Sequence, residues 1–216
     1  MKWRLLAEVP PDQVTELLKL ARRRRFSRNE VVFHRDDPGD SLHLINKGRF
    51  AVRVMTPLGD TATIAVRGPG DSFGEMALVG GQRRSATVAA LEDAETFSIY
   101  QREFAQLRRD HPAVSDVLVQ FLVSEVRMLN ERLLEAMYVP VERRVVRRLL
   151  ELAELYPAVD SVPEITLTQE TIAELAGAAR PTVNRVLREE ADRGSIELMR
   201  GKIRVLDGGA LQRRGR

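Results

Sequence analysis

Leu118, Phe121, Leu122, Val126, Leu129, Leu133 and Met137 recur at spacings of three and four residues without a break, the pattern of a helix with one apolar face. At about 1.5 Å per residue the helix that carries it, about 27 residues long, makes a rod of about 40 Å. One small neighbouring domain cannot cover a face of that length. The pattern therefore predicts pairing with a second copy, with Leu118, Phe121, Leu122, Val126, Leu129 and Leu133 in a homodimer interface; an internal core helix is the alternative. Asp110-His111-Pro112 supplies a cap and a first-turn proline at its start, and Val139-Pro140 breaks it. Three segments follow: 1–109, 110–138 and 139–216.

Ahead of the rod the apolar period is two. Val31/Phe33, Leu42/Leu44, Phe50/Val52/Val54, Ala62/Ile64/Val66, Ala86/Val88 and Phe97/Ile99 read as short half-buried strands. Pro38-Gly39, Lys47-Gly48, Leu58-Gly59-Asp60, Gly68-Pro69-Gly70-Asp71 and Gly80-Gly81 punctuate them at intervals of about ten residues, the spacing of an antiparallel barrel or roll. A short helix precedes them, opened by Pro11-Asp12 and marked by Val14, Leu17, Leu18 and Ala21. It ends in Arg22-Arg23-Arg24-Arg25, a solvated turn or, alternatively, a partner-contact patch. Beyond the break, Val141, Val145, Leu149 and Leu152 mark another helix, and Pro157 and Pro163 bracket a loop. Two short helices follow, then a hairpin of Ile196 to Met199, a turn Arg200-Gly201-Lys202, and Ile203 to Leu206. The fold class is α+β.

With 44% hydrophobic and 30% charged residues among 216, the composition is that of a soluble globular chain. No apolar run approaches the roughly 20 residues that span a bilayer. Met1 to Glu8 reaches an acid before any signal-peptide core could form, so a cytoplasmic location without a membrane partner is expected. Zero cysteines exclude disulfides, thiolate metal sites and cysteine nucleophiles. Net charge is +3, with 14 Lys+Arg against 12 Asp+Glu in 140–216, so a nucleic-acid role must rest on local placement. His34, His43 and His111 stand singly and read as surface or capping residues rather than ligands or bases. No catalytic segment is left over; no enzyme, metal or covalent cofactor is expected.

The run from Leu167 to Arg188 carries the strongest local signal. Thr168 can cap a first helix with Glu170 in its first turn, small Ala173 permits close approach, and Gly177 suits the positive φ between two helices. Val183, Val186 and Leu187 cluster on one side of the second helix. Pro181, Asn184, Arg185 and Arg188 therefore face the other, with Arg180 at the N-terminal end and the first acids, Glu189 and Glu190, only at the far end. This is a helix-turn-helix pattern, and Thr168, Arg180, Pro181, Thr182, Asn184, Arg185 and Arg188 are its candidate DNA contacts, with Lys202 on a basic wing for phosphates. A solvated basic helix is the bland alternative.

A second constellation spans Gly70 to Leu78 and Gly80 to Ala86. Its glycines can expose backbone N–H groups to an anion, Arg84 can donate to a phosphate as a fork, Ser85 offers a hydroxyl, and Glu75 can accept from sugar hydroxyls. By itself it is equally a turn-rich β segment. It is neither a P-loop nor a dinucleotide fingerprint, since the required Gly-Lys-Ser/Thr and glycine spacing are missing.

Phe73-Gly74-Glu75-Met76-Ala77-Leu78 with Arg84-Ser85-Ala86, followed in order by Arg180-Pro181-Thr182-Val183-Asn184-Arg185, resembles the cyclic AMP receptor protein (CRP)/FNR family of bacterial transcription regulators over nearly the whole chain. The resemblance implies a cyclic-nucleotide-binding-like β-roll, a long dimerisation helix and a winged helix-turn-helix. It implies that Glu75 holds a ribose 2′-hydroxyl, that Arg84 and Ser85 hold a cyclic phosphate, that Gly74 allows close backbone approach, and that Met76 and Ala77 lie in the same cassette. Counted back from Arg144 without gaps, the family's adenine-facing pair falls on Leu129-Asn130, where only Asn130 can hydrogen-bond a base. Pro181 stands where an acid often follows the first arginine, so the DNA consensus should differ there. The implied function is a homodimeric regulator of palindromic double-stranded DNA, controlled by cyclic AMP or a related cyclic nucleotide. A same-fold regulator active without nucleotide and set by its expression level is the alternative. Arg22 to Arg25 falls near a surface that some members turn towards RNA polymerase.

Overall fold

The computed structural model describes residues 3–7, 9–57, 59–78, 82–110 and 112–216; the Gly80-Gly81 turn, Leu58 and His111 lie outside the described residues. It divides into two compact units, Met1–Val54 with Ala65–Leu129, and Met55–Ile64 with Asn130–Arg216. Helix α1 (Pro11–Leu20) leads into strands β1 (Arg22–Phe26), β2 (Val31–Phe33), β3 (Ser41–Lys47), β4 (Phe50–Met55), β5 (Thr61–Arg67), β6 (Ser72–Phe73), β7 (Thr87–Ala90) and β8 (Ala94–Tyr100), all of the first unit save Met55 and the Thr61–Ile64 part of β5. They form two four-stranded sheets, in the orders β1-β8-β3-β6 and β2-β7-β4-β5, and the paired strands run antiparallel. Each strand expected from alternation is present.

β3 lies between two layers. Leu42 and Leu44 on one face join a core with Trp3, Leu17, Ile99, Phe104 and Leu107, while Ile45 on the other joins Phe26, Phe50, Phe73 and Val88 inside the roll. Helix α2 (Gln101–Asp110) supplies Phe104 and Leu107 to the outer core and was not foreseen, because charge fills the rest of its length. The arginine run is a strand, not a turn. Arg22 to Arg25 pair with Ser98 to Glu95 on the sheet's edge, where backbone pairing needs no apolar alternation and charged side chains are suited to solvent.

Helix α3 (Ala113–Tyr138) is the long rod. Its apolar stripe has two environments. Leu118 is 4% exposed and belongs to the roll's own core, with Phe121 and Leu122 packed partly against it. Leu118, expected in the seam between copies, is thus consumed within the chain. Val123, Val126, Leu129, Leu133 and Met137 stay 46–61% exposed.

The second unit holds α4 (Val141–Leu155), β9 (Ala158–Val159), β10 (Val162–Ile165), α5 (Gln169–Ala176), α6 (Arg180–Asp192), β11 (Ile196–Met199), β12 (Lys202–Val205) and α7 (Gly208–Gly215). A sheet in the order β11-β12-β10-β9 backs the helices. The segment between Pro157 and Pro163, expected as a loop, is a tight hairpin, turned by Asp160 and Ser161 at φ 52° and 66°, the left-handed pair that matches strand twist. Arg144 braces the break at Val139-Pro140, donating to the Ala136 carbonyl at 2.9 Å and the Gly177 carbonyl at 3.1 Å. Buried Arg148 adds ion pairs to Glu135 and Glu151.

His43 is not a surface histidine. It is 1% exposed, stacked on Phe73 with centroids 4.9 Å apart and planes at 8°, and its Nδ1 lies 3.1 Å from Thr96 Oγ1. Burial, and then the charges of Arg84 and Arg24, lower its pKa from 6.5 to about 3. An unfolded imidazole takes a proton near pH 6.5 and the folded one does not, so this contribution to stability is complete above about pH 6.5 and drains away as pH falls towards 3. Thermal melts of the natural chain should therefore lose stability over that window faster than those of His43→Phe, with the two curves drawing together as pH drops. A gap independent of pH would exclude the buried imidazole as its source.

Candidate functional site

The backbone first fixes Arg84. Its N–H donates to the Asp37 carbonyl and its carbonyl accepts from Asp36 N–H, each at 2.9 Å, so the approach to β7 is laced to the turn between β2 and β3. The guanidinium then runs inward to 4% side-chain exposure. Nη1 donates to the Ser41 carbonyl at 2.7 Å and, more loosely, to that of Gly74 at 3.4 Å. Nη2 donates to Ser41 Oγ at 3.0 Å and Asp40 Oδ1 at 3.2 Å, and the group lies 4.0 Å over the Phe33 ring. Nε is buried with no hydrogen-bond partner.

Gly74 follows β6 at φ 82°, and a Cβ there would stand 2.6 Å from Arg84 Nη1 and 2.9 Å from the Ser41 carbonyl. Only glycine fits both the conformation and the gap. Next comes a 3-10 turn, Glu75–Leu78. Burial raises the Glu75 carboxyl above the ordinary carboxylate range, partly opposed by its own N–H and by Arg67 and Arg84, while Glu125 pushes it further up. Arg67 at the end of β5 pairs with Glu125 of α3, whose second oxygen is buried without a hydrogen-bond partner. Ser85 Oγ donates to Met76 Sδ at 3.4 Å, and both residues are exposed. Leu129 and Asn130 are exposed on α3; the Ala77 side chain lies outside the described residues.

Gly74 thus meets Arg84 and Glu75 follows it in the chain, with Phe33, Asp40 and Ser41 on the guanidinium and Arg67 and Glu125 acting on the Glu75 carboxyl, none of which a local motif announces. The donor set suits a cyclic nucleotide. A buried guanidinium with a free N–H suits a phosphate monoanion, a glycine gap admits close approach, and a half-buried carboxyl can accept from sugar hydroxyls.

In the second unit Thr168 caps α5, its Oγ1 accepting from Thr171 N–H at 3.1 Å, and Gly177 closes the helix at φ 57°. Pro181 sits in the first turn of α6. Val183, Val186 and Leu187 are buried, so Arg180, Pro181, Arg185 and Arg188 are presented outward, with Thr182 and Asn184 half-buried. Arg185 is not a free reader. Its two terminal nitrogens pair with Glu142 and Glu189 at 2.7 Å each. Lys202 on the wing pairs with Glu164 at 2.5 Å, leaving exposed Arg200 in the wing turn. Glu190 faces inward, with Ser195, Arg193 and Arg214.

Residues 23–111 match the cyclic nucleotide-binding domain family and residues 143–214 the Crp-like helix-turn-helix domain family. A CRP-like cAMP-activated global transcriptional regulator of Mycobacterium tuberculosis is 30% identical over 211 residues, 96% of this chain and 94% of that protein. The chain belongs to the CRP/FNR family of transcription regulators. The cyclic AMP receptor protein of Thermus thermophilus is 29% identical, over 94% of this chain and 92% of its own. Among solved structures, the Thermus thermophilus catabolite activator protein is 28% identical with a TM-score of 0.58, covering 98% of each chain. A CRP-family regulator from the same organism is 27% identical with a TM-score of 0.75, over 89% of this chain and 96% of that one. As a member, this chain is a transcription regulator with a cyclic-nucleotide-binding domain and a helix-turn-helix DNA-binding domain. No helix among the described residues is long and apolar enough to cross a membrane.

Gly74→Ala should displace the Arg84 guanidinium or the Ser41 carbonyl and strain the backbone, at a cost of about 1 kcal/mol or more. A lowered melting temperature with a marked loss of any cyclic nucleotide affinity is the expected result; an unchanged pair of values would mean that the gap is not used.

Proposed function

We propose that this chain is a homodimeric, sequence-specific regulator of palindromic DNA whose affinity for its site is raised by a cyclic nucleotide, cyclic AMP in the first place. Residues 1–109 are the effector segment, 110–138 the dimerisation helix and 139–216 the DNA-binding segment. Arg84 carries the reading: a guanidinium so deeply buried, with one N–H unpaired and the Glu75 carboxyl near enough to feel its charge, is apt for an anion with sugar hydroxyls attached. The M. tuberculosis and T. thermophilus relatives, named for cyclic AMP, support that choice of effector. Gly74, Glu75, Met76, Ala77, Arg84 and Ser85 form the proposed binding cassette, with Leu129 and Asn130 towards the base. Nucleotide can promote DNA binding only by preferring the DNA-competent arrangement, and a tenfold stimulation needs about 1.4 kcal/mol of differential affinity.

Arg180, Arg185 and Arg188 face the major groove, with Pro181, Thr182 and Asn184 beside them, Thr168 at the neighbouring helix start, and Lys202 and Arg200 on the wing. Among the described residues the side chains of Arg22 and Arg24 lie over the rings of Tyr100 and Phe26, whereas Arg23 and Arg25 pair with Glu95. Arg22 and Arg24 are therefore the members of the run suited to RNA polymerase.

The deciding experiment combines calorimetry with cyclic AMP and cyclic GMP and selection of DNA sites at fixed salt. Saturable nucleotide binding that tightens DNA binding is expected. Arg180→Ala should cost about 1 to 3 kcal/mol in site binding and relax one position per half-site. Tight DNA binding without any nucleotide binding at millimolar ligand would replace this mechanism with the nucleotide-independent one.

The exposed part of the α3 stripe supports self-association. Val126→Glu with Leu133→Glu should place unpaired carboxylates in the seam at a cost of several kcal/mol, and sedimentation should then show monomers. A persisting dimer would place the interface elsewhere.

A further inference from the structure

We propose that Asp40 is an internal stand-in for the effector's phosphate: its carboxylate occupies the fork of Arg84 that the nucleotide must take, and so sets the affinity at which the effector is sensed. This deepens the cyclic-nucleotide reading and rests on it. An arginine offers paired donors along two kinds of edge, the Nη1/Nη2 end and the Nε/Nη2 side. Ser41 closes the end, its carbonyl accepting from Nη1 at 2.7 Å and its hydroxyl from Nη2 at 3.0 Å. The side remains. There Nε is buried without a partner, and Nη2 is shared with Asp40 Oδ1 at 3.2 Å.

Asp40 Oδ1 also accepts from the Ser41 hydroxyl at 2.8 Å. Its position is thus a ready oxyanion spot with two donors aimed at it and a third, Nε, on the adjoining corner. A carboxylate reaching it with one oxygen leaves Nε unpaired, while a phosphate with two free oxygens can satisfy both corners. The exchange needs little movement. Asp40 is 65% exposed, and its backbone carbonyl stays fixed by the Gln101 N–H at 2.8 Å, so a rotation of the side chain into solvent clears the site. Arg84 does not depend on Asp40 for its place, since Ser41, Gly74 and Phe33 hold it. What Asp40 supplies is the counter-charge for a buried cation, a service that the phosphate duplicates.

Asp40→Asn in the full chain should therefore tighten cyclic AMP binding about threefold to tenfold, by removing a competing occupant. The same variant should melt lower than the natural chain without nucleotide and gain more from saturating cyclic AMP, so that the two melting temperatures converge. Asp37→Asn is the control. Asp37 also acts on Arg84 through space, but its carboxylate accepts from His34 N–H at 2.8 Å and does not touch the guanidinium, so less than a twofold change is expected. Equal gains in both variants would make the effect one of general charge and overturn the displacement. Weaker or unchanged binding in Asp40→Asn, with the natural chain binding cyclic AMP normally, would overturn the role of Asp40 and leave the effector reading standing. Failure of both natural chain and Asp40→Asn to bind cyclic AMP or cyclic GMP would remove both; binding that appears only in Asp40→Asn would support the stand-in directly.

Discussion

Burying the Arg84 guanidinium obliges the roll to bring acceptors to it from two separate loops. Asp40 and Ser41 come from the entry to β3, Gly74 from the turn after β6, and the arginine from the approach to β7, so loops distant in sequence converge on one ion. The Gly74 gap, the stacking of Phe33 and the lacing of Arg84 to the Asp36-Asp37 backbone are conditions of that convergence. His43 belongs to the same arrangement: stacked on Phe73 and 3.5 Å from Ser41 Oγ, it fills the space beneath a cation and must stay neutral there.

The second unit solves a different problem, the presentation of a reading surface. Val183, Val186 and Leu187 seat α6 from behind. Glu190 then ties its far end to Ser195 at the root of the hairpin and to Arg214 of α7. Arg144 and Arg148 brace α4 against the end of α3. Ionic contacts are placed where the helix must not rock, and the N-terminal turn with Arg180 is left clear of them.

Legibility followed the physics of each element. Alternation disclosed β2 to β5, β7 and β8 because most of their apolar residues face a core, Val31 and Ile64 being the exposed exceptions. β1 stayed hidden because an edge strand is held by its backbone, and four arginines satisfy that as well as valines would. In α2 only Phe104 and Leu107 meet the core, too few to mark a period among charges. The α3 stripe was plain, but periodicity cannot distinguish a partner within the chain from one outside it, so Leu118 was assigned to the wrong side. At the candidate site, spacing pointed to Gly74, Glu75 and Arg84. Asp40, Ser41, Phe33, Arg67 and Glu125 reach the site through strand pairing and helix packing, which no window of sequence contains. His43 was misplaced because β3 is covered on both faces and alternation presumes one.

The pairing of Arg185 with Glu142 and Glu189 bears on how recognition divides between strength and discrimination. A guanidinium that arrives at DNA already neutralised by two carboxylates exchanges one set of charge-assisted hydrogen bonds for another, and displaces few condensed cations from the duplex in doing so. In the proposed reading Arg180 and Arg188, which carry no such partners among the described residues, would bear the ionic attraction of α6. Arg185 would leave its carboxylates only where a base edge offers comparable acceptors. On random sequence it would stay folded back, so its energy would count towards telling sites apart rather than towards holding on to DNA.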